Sequence, residues 1–481
     1  MLKFNISKPE DVGIDERQII NIIERLDKQR INMHSLLILK GNNLICEAYW
    51  KPYNNNMLHR MFSISKSFTA IAIGFLLEEG KFDLDDAICD YFPEYIPNDV
   101  HPWIKSMTIR DCLMMRTCHA STTYKNNMHS NWVESFFTTP PTHPSGRYFC
   151  YDTSSAHTLC ALVEKLTNMK MLDYIKQKLS LLGLSEESYM LSDPFGVSMG
   201  GSGLVATSLD MLKFGYFLKQ QGNIGGQQLI DSSYIRECTS FLSDTRMTAP
   251  VSSEAVGYGM MIWQNERQGF VCYGMGGQFI IELPKQDMLI VTTADTIGRA
   301  GANQIIYETI YSSLCDGEIS HSAKSLSKIL PELSMHSQIP IPNTPGTKSA
   351  EQISPVYKKN IKGHTYHTSG HAFDNIMLSI NDDVGRLTYT LNGSPCQLDF
   401  GFGRLIEGQF PLYDMHYAAS GIWVTEDTLY IRLHIIDEYI GSVHIQLSFD
   451  NDSVAVFMKK NEESLFNEYN GHVYGKYTKT L

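Results

Sequence analysis

Residues 62–80 read F-S-I-S-K-S-F-T-A-I-A-I-G-F-L-L-E-E-G, and this stretch decides how the rest of the chain is interpreted. It opens on a serine and lysine cluster, continues as an apolar run and ends at a glycine, a pattern that predicts a buried helix. Ser63 and Lys66 are three residues apart. A helix therefore places both side chains on one face, with the lysine amine within reach of the serine hydroxyl.

Lys66 stands in the first turn of this predicted helix, where the helix dipole disfavours a positive charge. If the site is also dry, the dipole and the loss of solvation both shift the lysine toward its neutral amine, which can take a proton from Ser63. The S-x-x-K pattern alone is weak, and it recurs at Ser325–Lys328 in a polar segment. Only the first copy opens a long apolar helix, so Ser63 is the candidate nucleophile for acyl transfer.

Length and composition are those of an ordinary globular protein. The chain has 481 residues, 43% of them apolar and 19% charged, which is enough for two or three domains. A net charge of -12 without a basic cluster argues against nucleic acid or an anionic membrane as the partner. No apolar run is long enough to span a bilayer, the N-terminus lacks a signal core, and the ten cysteines form no C-x-x-C pair. We expect a cytoplasmic protein.

The distribution of apolar segments predicts two domains. Strand-like runs joined by hairpin turns lie at 35–50 and 257–296, with helical patterns between them, so residues 1–333 are expected to form an α+β domain with an antiparallel sheet, flanking helices and a helical subdomain. A polar stretch rich in proline, 334–358, indicates a linker. Alternating segments over 359–481 predict an all-β C-terminal domain, a small barrel or sandwich.

The histidines are weaker candidates for chemistry. His119 lies in a loop-rich stretch and could act as a base, although a lone loop histidine is more often structural. His364, His367 and His371 could suggest a metal site, but a spacing of three sends the first two to opposite faces of a strand and no fourth ligand is evident. We expect neither a metal nor an organic cofactor.

Five features follow one another in a fixed order: Ser63-Ile-Ser-Lys66, Tyr151-Asp-Thr153, G-G-S-G-L-V-A-T at 200–207, G-Y-G at 257–259 and Met275-Gly-Gly-Gln278. Together they resemble the serine β-lactamase and penicillin-binding-protein-like family, most closely the branch of class C β-lactamases, DD-peptidases, related esterases and aminohexanoate-oligomer hydrolases. The resemblance covers roughly residues 10–320 and implies the β-lactamase/transpeptidase-like fold. The C-terminal segment resembles the lipocalin-like barrel often appended to such hydrolases.

The resemblance implies a role for each matching residue. Ser63 would be the acyl-accepting nucleophile and Lys66 its base or electrostatic activator. Tyr151 would share the proton transfers, since a phenol beside an ammonium is expected to shift toward phenolate. The oxyanion hole would combine the backbone N–H groups of Ser63 and, on an edge strand, Gln278. The substrate would be bound by Thr153, Met275, Gly276 and Gly277.

Two positions depart from the family pattern. Thr153 stands where asparagine is common, and Met275 stands where a lysine or histidine usually helps to bind a substrate carboxylate. Losing that charge-assisted contact costs about 1.5 to 3 kcal/mol. We therefore expect a serine hydrolase that acts through an acyl-enzyme on a small ester, amide or peptide. The alternatives are a β-lactamase or DD-peptidase proper, with Arg116 or another cation replacing the lost charge, and a non-catalytic binding or regulatory protein. The sequence assigns no oligomeric state.

Overall fold

The computed structural model describes residues 1–249, 251–337, 361, 363–450, 452–462 and 465–477. The chain forms two compact units, Met1–Leu333 and Ser334–Leu481. Most of the predicted linker at 334–358 lies outside the described residues, so its bounds stay a prediction.

The described part of the N-terminal unit contains twelve strands and eleven α-helices, together with short 3-10 helices. The strands are β1 (Asn5–Ile6), β2 (Asn32–Lys40), β3 (Asn43–Tyr49), β4 (His59–Arg60), β5 (Tyr189–Met190), β6 (Leu204–Ala206), β7 (Asn223–Ile224), β8 (Gln227–Gln228), β9 (Trp263–Gln264), β10 (Phe270–Gly274), β11 (Gln278–Leu283) and β12 (Met288–Asp295). The helices are α1 (Glu16–Lys28), α2 (Ile64–Glu78), α3 (Pro102–Lys105), α4 (Ile109–Leu113), α5 (Trp132–Thr138), α6 (Thr153–Thr167), α7 (Met171–Lys178), α8 (Ser208–Lys219), α9 (Ser232–Cys238), α10 (Ala302–Leu314) and α11 (Leu326–Ile329).

Seven strands form the main sheet, in the order β1-β3-β2-β12-β11-β10-β9, and every pair except β1 with β3 is antiparallel. The central strand β12 is buried along its whole length, in keeping with the apolar run that begins it, residues 288–291. Helix α8 lies against the sheet at Gly215, where an added Cβ would be 2.4 Å from the Ile280 side chain. The α+β prediction is confirmed.

Helix α2 is the buried helix predicted from residues 62–80. Every side chain from Ile64 to Leu76 is buried, because α6, α7 and strand β10 all pack against the helix. The helix ends at Glu78, two residues before Gly80, which adopts a left-handed φ of 67° as expected of a glycine that stops a helix. The first turn of α2 lies beside the end of β10, so the sheet and the helical part of the unit meet at Ser63.

The C-terminal unit is all-β, as predicted. Its strands are β13 (Tyr366–Thr368), β14 (Phe373–Asn381), β15 (Val384–Leu391), β16 (Ser394–Phe402), β17 (Ile406–Phe410), β18 (Met415–Trp423), β19 (Thr428–Ile436), β20 (Ile440–Asp450), β21 (Ser453–Asn461) and β22 (Gly471–Tyr477). A short parallel pairing of β16 with β18 closes nine of them into a barrel, and β17 pairs with β18 alone. Alternate side chains fill its interior, including Leu429, Ile431 and Leu433.

Two further observations concern the whole described chain. None of its described helices combines the length and the apolar character needed to cross a bilayer. Its ten cysteines, all within the described residues, are free thiols, and most of them are buried.

Candidate active site

Ser63 and Lys66 meet at the start of α2, as their spacing predicts. Ser63 is the N-cap residue, but its side chain caps no backbone amide and is available for another contact. The Nζ of Lys66 donates to the Oγ of Ser63 at 2.9 Å and to the carbonyl oxygen of Gly201 at 2.6 Å. Ser63 itself is half-buried, so its hydroxyl lies between a dry helix interior and the surface.

The surroundings of Lys66 favour its neutral amine. The side chain is buried, and burial lowers its pKa from about 10.5 to about 7, whereas the negative charge of Asp152 acts in the opposite direction. Burial therefore makes the neutral amine accessible near neutral pH. Because the Gly201 carbonyl occupies one N–H of the amine, the nitrogen lone pair can face the hydroxyl of Ser63.

Tyr151 completes the cluster from the residue before the N-cap of α6. The Nζ of Lys66 is 4.9 Å from the centre of the Tyr151 ring, and the ring stacks on Trp263 with centroids 5.7 Å apart. Burial raises the pKa of Tyr151, and a hydrogen bond with Ser63 only partly offsets this. The expected shift toward phenolate is therefore wrong, because the loss of solvation disfavours the charged phenolate. Tyr151 is a neutral phenol at neutral pH.

Asp152 is a second acid in this cluster, and our sequence interpretation gave it no role. As the N-cap of α6, it accepts a hydrogen bond from the Ser154 amide at 2.8 Å, and the Ser154 hydroxyl binds the same oxygen. Burial raises its pKa to about 6, and Lys66 and these hydrogen bonds oppose that rise. Its sequence signal was the Asp-Thr-Ser pattern of a helix N-cap, which gives no sign that the carboxyl faces a lysine.

Thr153 and the glycine-rich turn at 200–207 support the position of the lysine. Gly200 accepts from the Thr69 hydroxyl at 2.9 Å. A Cβ added to Gly201 would be 2.5 Å from the Cγ2 of Thr153, so only glycine fits between the carbonyl that Lys66 binds and helix α6. Through its methyl group Thr153 packs against Gly201, and its amide donates to Thr122 Oγ1 at 3.0 Å. These contacts assign Thr153 a packing role and leave its expected contact with substrate a prediction.

The strand beside the serine is β10, and this corrects one expectation. Gln278 begins β11, which lies between β10 and β12, so its expected place on an edge strand is wrong. Its side chain binds Met275 and Ala294 backbone groups at 2.8 to 2.9 Å. The segment just before α2, residues 61–63, is called the serine loop below. Gly274, the last residue of β10, lies so close to it that an added Cβ would be 2.2 Å from the Met61 carbonyl oxygen.

The turn between β10 and β11 holds the remaining predicted substrate-binding residues. Met275 is half-buried, and Gly276 and Gly277 have φ values of 91° and 95°, which a residue with a side chain rarely adopts. The Gly277 carbonyl accepts from the Thr292 hydroxyl at 2.9 Å. These two glycines therefore allow the sharp turn between β10 and β11, next to the end of β10 beside Ser63.

Tyr273 and Glu254 are further ionisable groups near the cluster that sequence reasoning missed. Burial and the charge of Glu254 raise the pKa of Tyr273 to about 12, and burial raises the pKa of Glu254 to about 7. A negative charge on either group raises the pKa of Tyr151. Glu254 lies in a short loop turn, Ser252–Glu254, which gives no motif by which it could have been found.

The other candidates lie outside this cluster. Arg116 binds the Ser243 hydroxyl at 2.9 Å and the Leu242 carbonyl, so its guanidinium is engaged in holding a loop. His119 is buried with its Nε2 2.9 Å from the Phe136 carbonyl oxygen, and burial lowers its pKa to about 4.

His364 stacks on Tyr477, while the Nδ1 of His371 accepts from a backbone amide at 3.1 Å. In the described part of the chain no group of three His, Cys, Asp or Glu side chains could hold a metal ion.

The fold and the cluster define a class: a serine and a lysine at the start of a buried helix beside an antiparallel sheet, with a tyrosine just before a second helix. Residues 19–304, more than half of the chain, match the family model described as Beta-lactamase. The chain belongs to the beta-lactamase family. The predicted relationship to β-lactamases and penicillin-binding proteins is confirmed.

Individual relatives are distant. The chain is 21% identical over 279 residues to the 6-aminohexanoate-dimer hydrolase of Paenarthrobacter ureafaciens, spanning 53% of this chain and 71% of that protein. A solved structure from Bacillus anthracis, provisionally assigned as a 6-aminohexanoate-dimer hydrolase, has a TM-score of 0.51 at 21% identity and covers 64% of this chain and 86% of its own. Another from Bacteroides dorei, provisionally assigned as a beta-lactamase, has a TM-score of 0.51 at 16% identity, covering 62% and 99%. At these identities the two structures establish the fold alone.

Proposed function

We propose that the protein is a serine hydrolase that forms an acyl-enzyme at Ser63 and acts on a small ester or amide. The observation that carries the proposal is the 2.9 Å contact between the Lys66 amine and the Ser63 hydroxyl, made by a lysine that is buried. A buried amine with a pKa of about 7 is a base matched to neutral pH. Membership of the beta-lactamase family supports hydrolysis as the reaction class.

Acylation begins when the neutral amine of Lys66 takes the proton of the Ser63 hydroxyl as the Oγ attacks the substrate carbonyl carbon. The C–O bond to Ser63 forms, and the carbonyl π electrons move to the oxygen. When this tetrahedral intermediate collapses, the bond to the leaving group breaks and the leaving group takes a proton. Tyr151 is a neutral phenol that interacts with Ser63, so it can donate that proton and recover one from the Lys66 ammonium.

Two backbone donors are proposed for the oxyanion. One is the N–H of Ser63, which lies at the start of α2, where amides have no partner within the helix and the dipole favours negative charge. The other is an N–H at the end of β10, residues 273–275, in place of the Gln278 amide. This strand end lies beside the serine loop, and β9 pairs with β10 only at Phe270 and Val271, so in the described chain no strand pairs with that edge of residues 272–274.

Deacylation repeats these steps with water as the nucleophile. A water molecule attacks the ester carbon of the acyl-enzyme while Lys66, again neutral, accepts its proton. Collapse of the second tetrahedral intermediate returns the electrons of the ester bond to Ser63 Oγ, which regains its proton from the lysine. The products are the carboxylic acid and the protonated leaving group, and Ser63 regains its free hydroxyl. The cycle involves no change of oxidation state.

The proposed substrate is a neutral ester or amide and not a carboxylate-bearing β-lactam. Met275 supplies no charge at the end of β10, and Arg116 is engaged with Ser243 and Leu242. The relative named as a hydrolase of the 6-aminohexanoate dimer supports a small substrate that is not a lactam antibiotic. We also propose that the protein works in the reducing cytoplasm, since its cysteines are free thiols.

The test is covalent labelling followed by turnover. A fluorophosphonate should add once to the protein at Ser63, identified by mass spectrometry of the peptide, and Ser63→Ala should abolish both the adduct and hydrolysis of p-nitrophenyl esters. Ser325→Ala, in the second S-x-x-K copy, is the matched control and should retain both. Turnover that survives Ser63→Ala would refute the assignment. A folded protein that neither labels nor hydrolyses esters, D-amino acid amides or nitrocefin would instead indicate a non-catalytic binding protein.

A further inference from the structure

The outer face of the C-terminal barrel contains a groove that the proposed reaction does not use. It crosses β19, β20 and β21 and has a volume of about 270 Å³. Its lining residues are Tyr430, His444, Gln446, Phe457, Lys459 and Asn461. All six point outward, because the residues that alternate with them, such as Ile445 and Met458, belong to the barrel core. Small-molecule sites usually have about 300 to 1,000 Å³, so an occupant of this groove would be small.

His444 fixes the polar part of the groove. Its Nδ1 is hydrogen-bonded to the Tyr430 hydroxyl, and its Nε2 is 2.8 Å from the Ser442 hydroxyl and 3.0 Å from the Nδ2 of Asn461. Burial and two nearby cations lower the pKa of His444 to about 4, so the ring is neutral at neutral pH. Since the Asn461 Nδ2 can only donate, Nε2 accepts and the ring proton is on Nδ1. The Tyr430 oxygen accepts that proton's hydrogen bond, which leaves its own O–H for another acceptor.

A row of basic side chains crosses the same strands. The strand register pairs Arg432 with His444, and His444 with Lys459. Both cations lower the pKa of His444, so positive potential from both reaches the groove. Lys459 is exposed and forms no ion pair with the described residues. Like charges on adjoining strands destabilise a sheet, and an anion in the groove would relieve this repulsion.

No acidic side chain offsets this charge within the three strand segments that form the groove. Residues 430–434, 442–446 and 457–461 include neither aspartate nor glutamate, although the whole chain has a net charge of -12. The groove is therefore a local positive region on an acidic protein. Its charge favours an anionic occupant.

An aromatic row lies next to the basic one. Tyr430 pairs with Gln446, and Gln446 pairs with Phe457, two residues along each strand from the basic row. Phe457 is 43% exposed, and its ring stacks on His472 with centroids 4.4 Å apart, which holds it in one orientation. Rows two residues apart on one face of a sheet are separated by about 7 Å. One small molecule can therefore contact both rows.

We propose that this groove binds a small organic anion, a carboxylate carried on a flat apolar body. The carboxylate lies at the basic row, where the Lys459 ammonium and the Tyr430 O–H donate to it, and such charge-assisted hydrogen bonds are the stronger ones. The flat body lies against the ring of Phe457. The proposal goes beyond the reaction at Ser63 and assigns the C-terminal unit a binding role of its own.

Calorimetry on the full chain tests the groove with benzoate and with benzamide, its neutral counterpart. The proteins are the wild type, Lys459→Gln and Lys476→Gln; Lys476 is an exposed lysine of β22 outside the groove and is the matched control. We expect the wild type and Lys476→Gln to bind benzoate about ten-fold tighter than benzamide, and Lys459→Gln to bind the two alike. Phe457→Ala should weaken the binding of both compounds, because both stack on that ring.

Three results would overturn the proposal. The first is a wild type that binds benzoate no better than benzamide, a result that needs no variant to fold. The second is a folded Lys459→Gln that keeps the preference, since the anion would then bind elsewhere. The third uses inorganic phosphate as a probe: if phosphate binds the wild type as tightly as benzoate, charge alone is recognised and the flat apolar body has no role.

Discussion

Lys66→Met separates the cost of burying the lysine from its use in the reaction. Methionine has a similar length and no charge, so it fills the space between Ser63 and Gly201 without an amine. We expect the variant to lose at least 1,000-fold in kcat/KM on an activated ester, within the range of about 10² to 10⁴ for removing a general base. We also expect it to be more stable than the wild type near neutral pH.

The stability gain follows from the pKa of Lys66, which falls from 10.5 to about 7 on burial. A shift of this size corresponds to about 5 kcal/mol between the two protonation states. Since the folded pKa is depressed, the unfolded chain binds more protons between pH 7 and 10.5. The penalty is complete below pH 7 and disappears as the pH approaches 10.5. In the variant the Gly201 carbonyl loses its hydrogen-bond donor, which reduces the expected gain in stability by about 1 to 3 kcal/mol.

Urea unfolding of both proteins at pH 6 and pH 9 measures this effect. The variant should be the more stable protein at pH 6, and the difference between variant and wild type should shrink by about 2 to 3 kcal/mol at pH 9. The same pKa predicts that kcat/KM of the wild type rises with pH to a plateau with a midpoint near 7. A stability difference that does not change with pH, or a variant that still turns over, would refute the role of a neutral buried amine.

Three further predictions concern neighbours of the lysine. Tyr151→Phe should lower kcat/KM by about 10² to 10⁴ and leave the midpoint near pH 7 in place, because the phenol transfers protons and Lys66 sets the midpoint. Asp152→Asn should move that midpoint to lower pH, since the Asp152 charge raises the pKa of Lys66, and asparagine still caps the helix; an unchanged pH–rate profile would contradict this. Gly274→Ala should cost about 1 to 3 kcal/mol in urea unfolding and slow fluorophosphonate labelling, because the new Cβ would lie 2.2 Å from the Met61 carbonyl oxygen; wild-type labelling would show that β10 need not lie against the serine loop.

Local patterns in the sequence were enough to predict the buried helix α2, the contact between Ser63 and Lys66, and the two types of domain. Ser63 and Lys66 could be placed together because helical geometry alone fixes residues three apart on one face. The C-terminal barrel was predictable because its interior residues alternate with exterior ones along each strand, as at Leu429, Ile431 and Leu433.

The features that the sequence did not reveal depend on contacts between distant segments. Gln278 looked like a residue of an edge strand because hairpins predict which strands follow one another, whereas the order of strands in the sheet decides which edge is open. Tyr151 was expected to ionise because only its lysine neighbour was considered, and the burial that keeps it neutral comes from packing against Trp263.

Two helices begin at this site, and their electrostatics explain the pairing of a neutral lysine with an acid. The N-termini of α2 and α6 lie at Ser63 and Asp152, so both helix dipoles direct positive potential at one small volume. That potential disfavours an ammonium at Lys66 and would favour the oxyanion that we propose forms at Ser63. Asp152 offsets part of it from the N-cap of α6, which keeps the pKa of Lys66 near 7 and prevents it from falling further. The same local field can thus provide a base before the bond to Ser63 forms and stabilise negative charge afterwards, with no group having to move between the two roles.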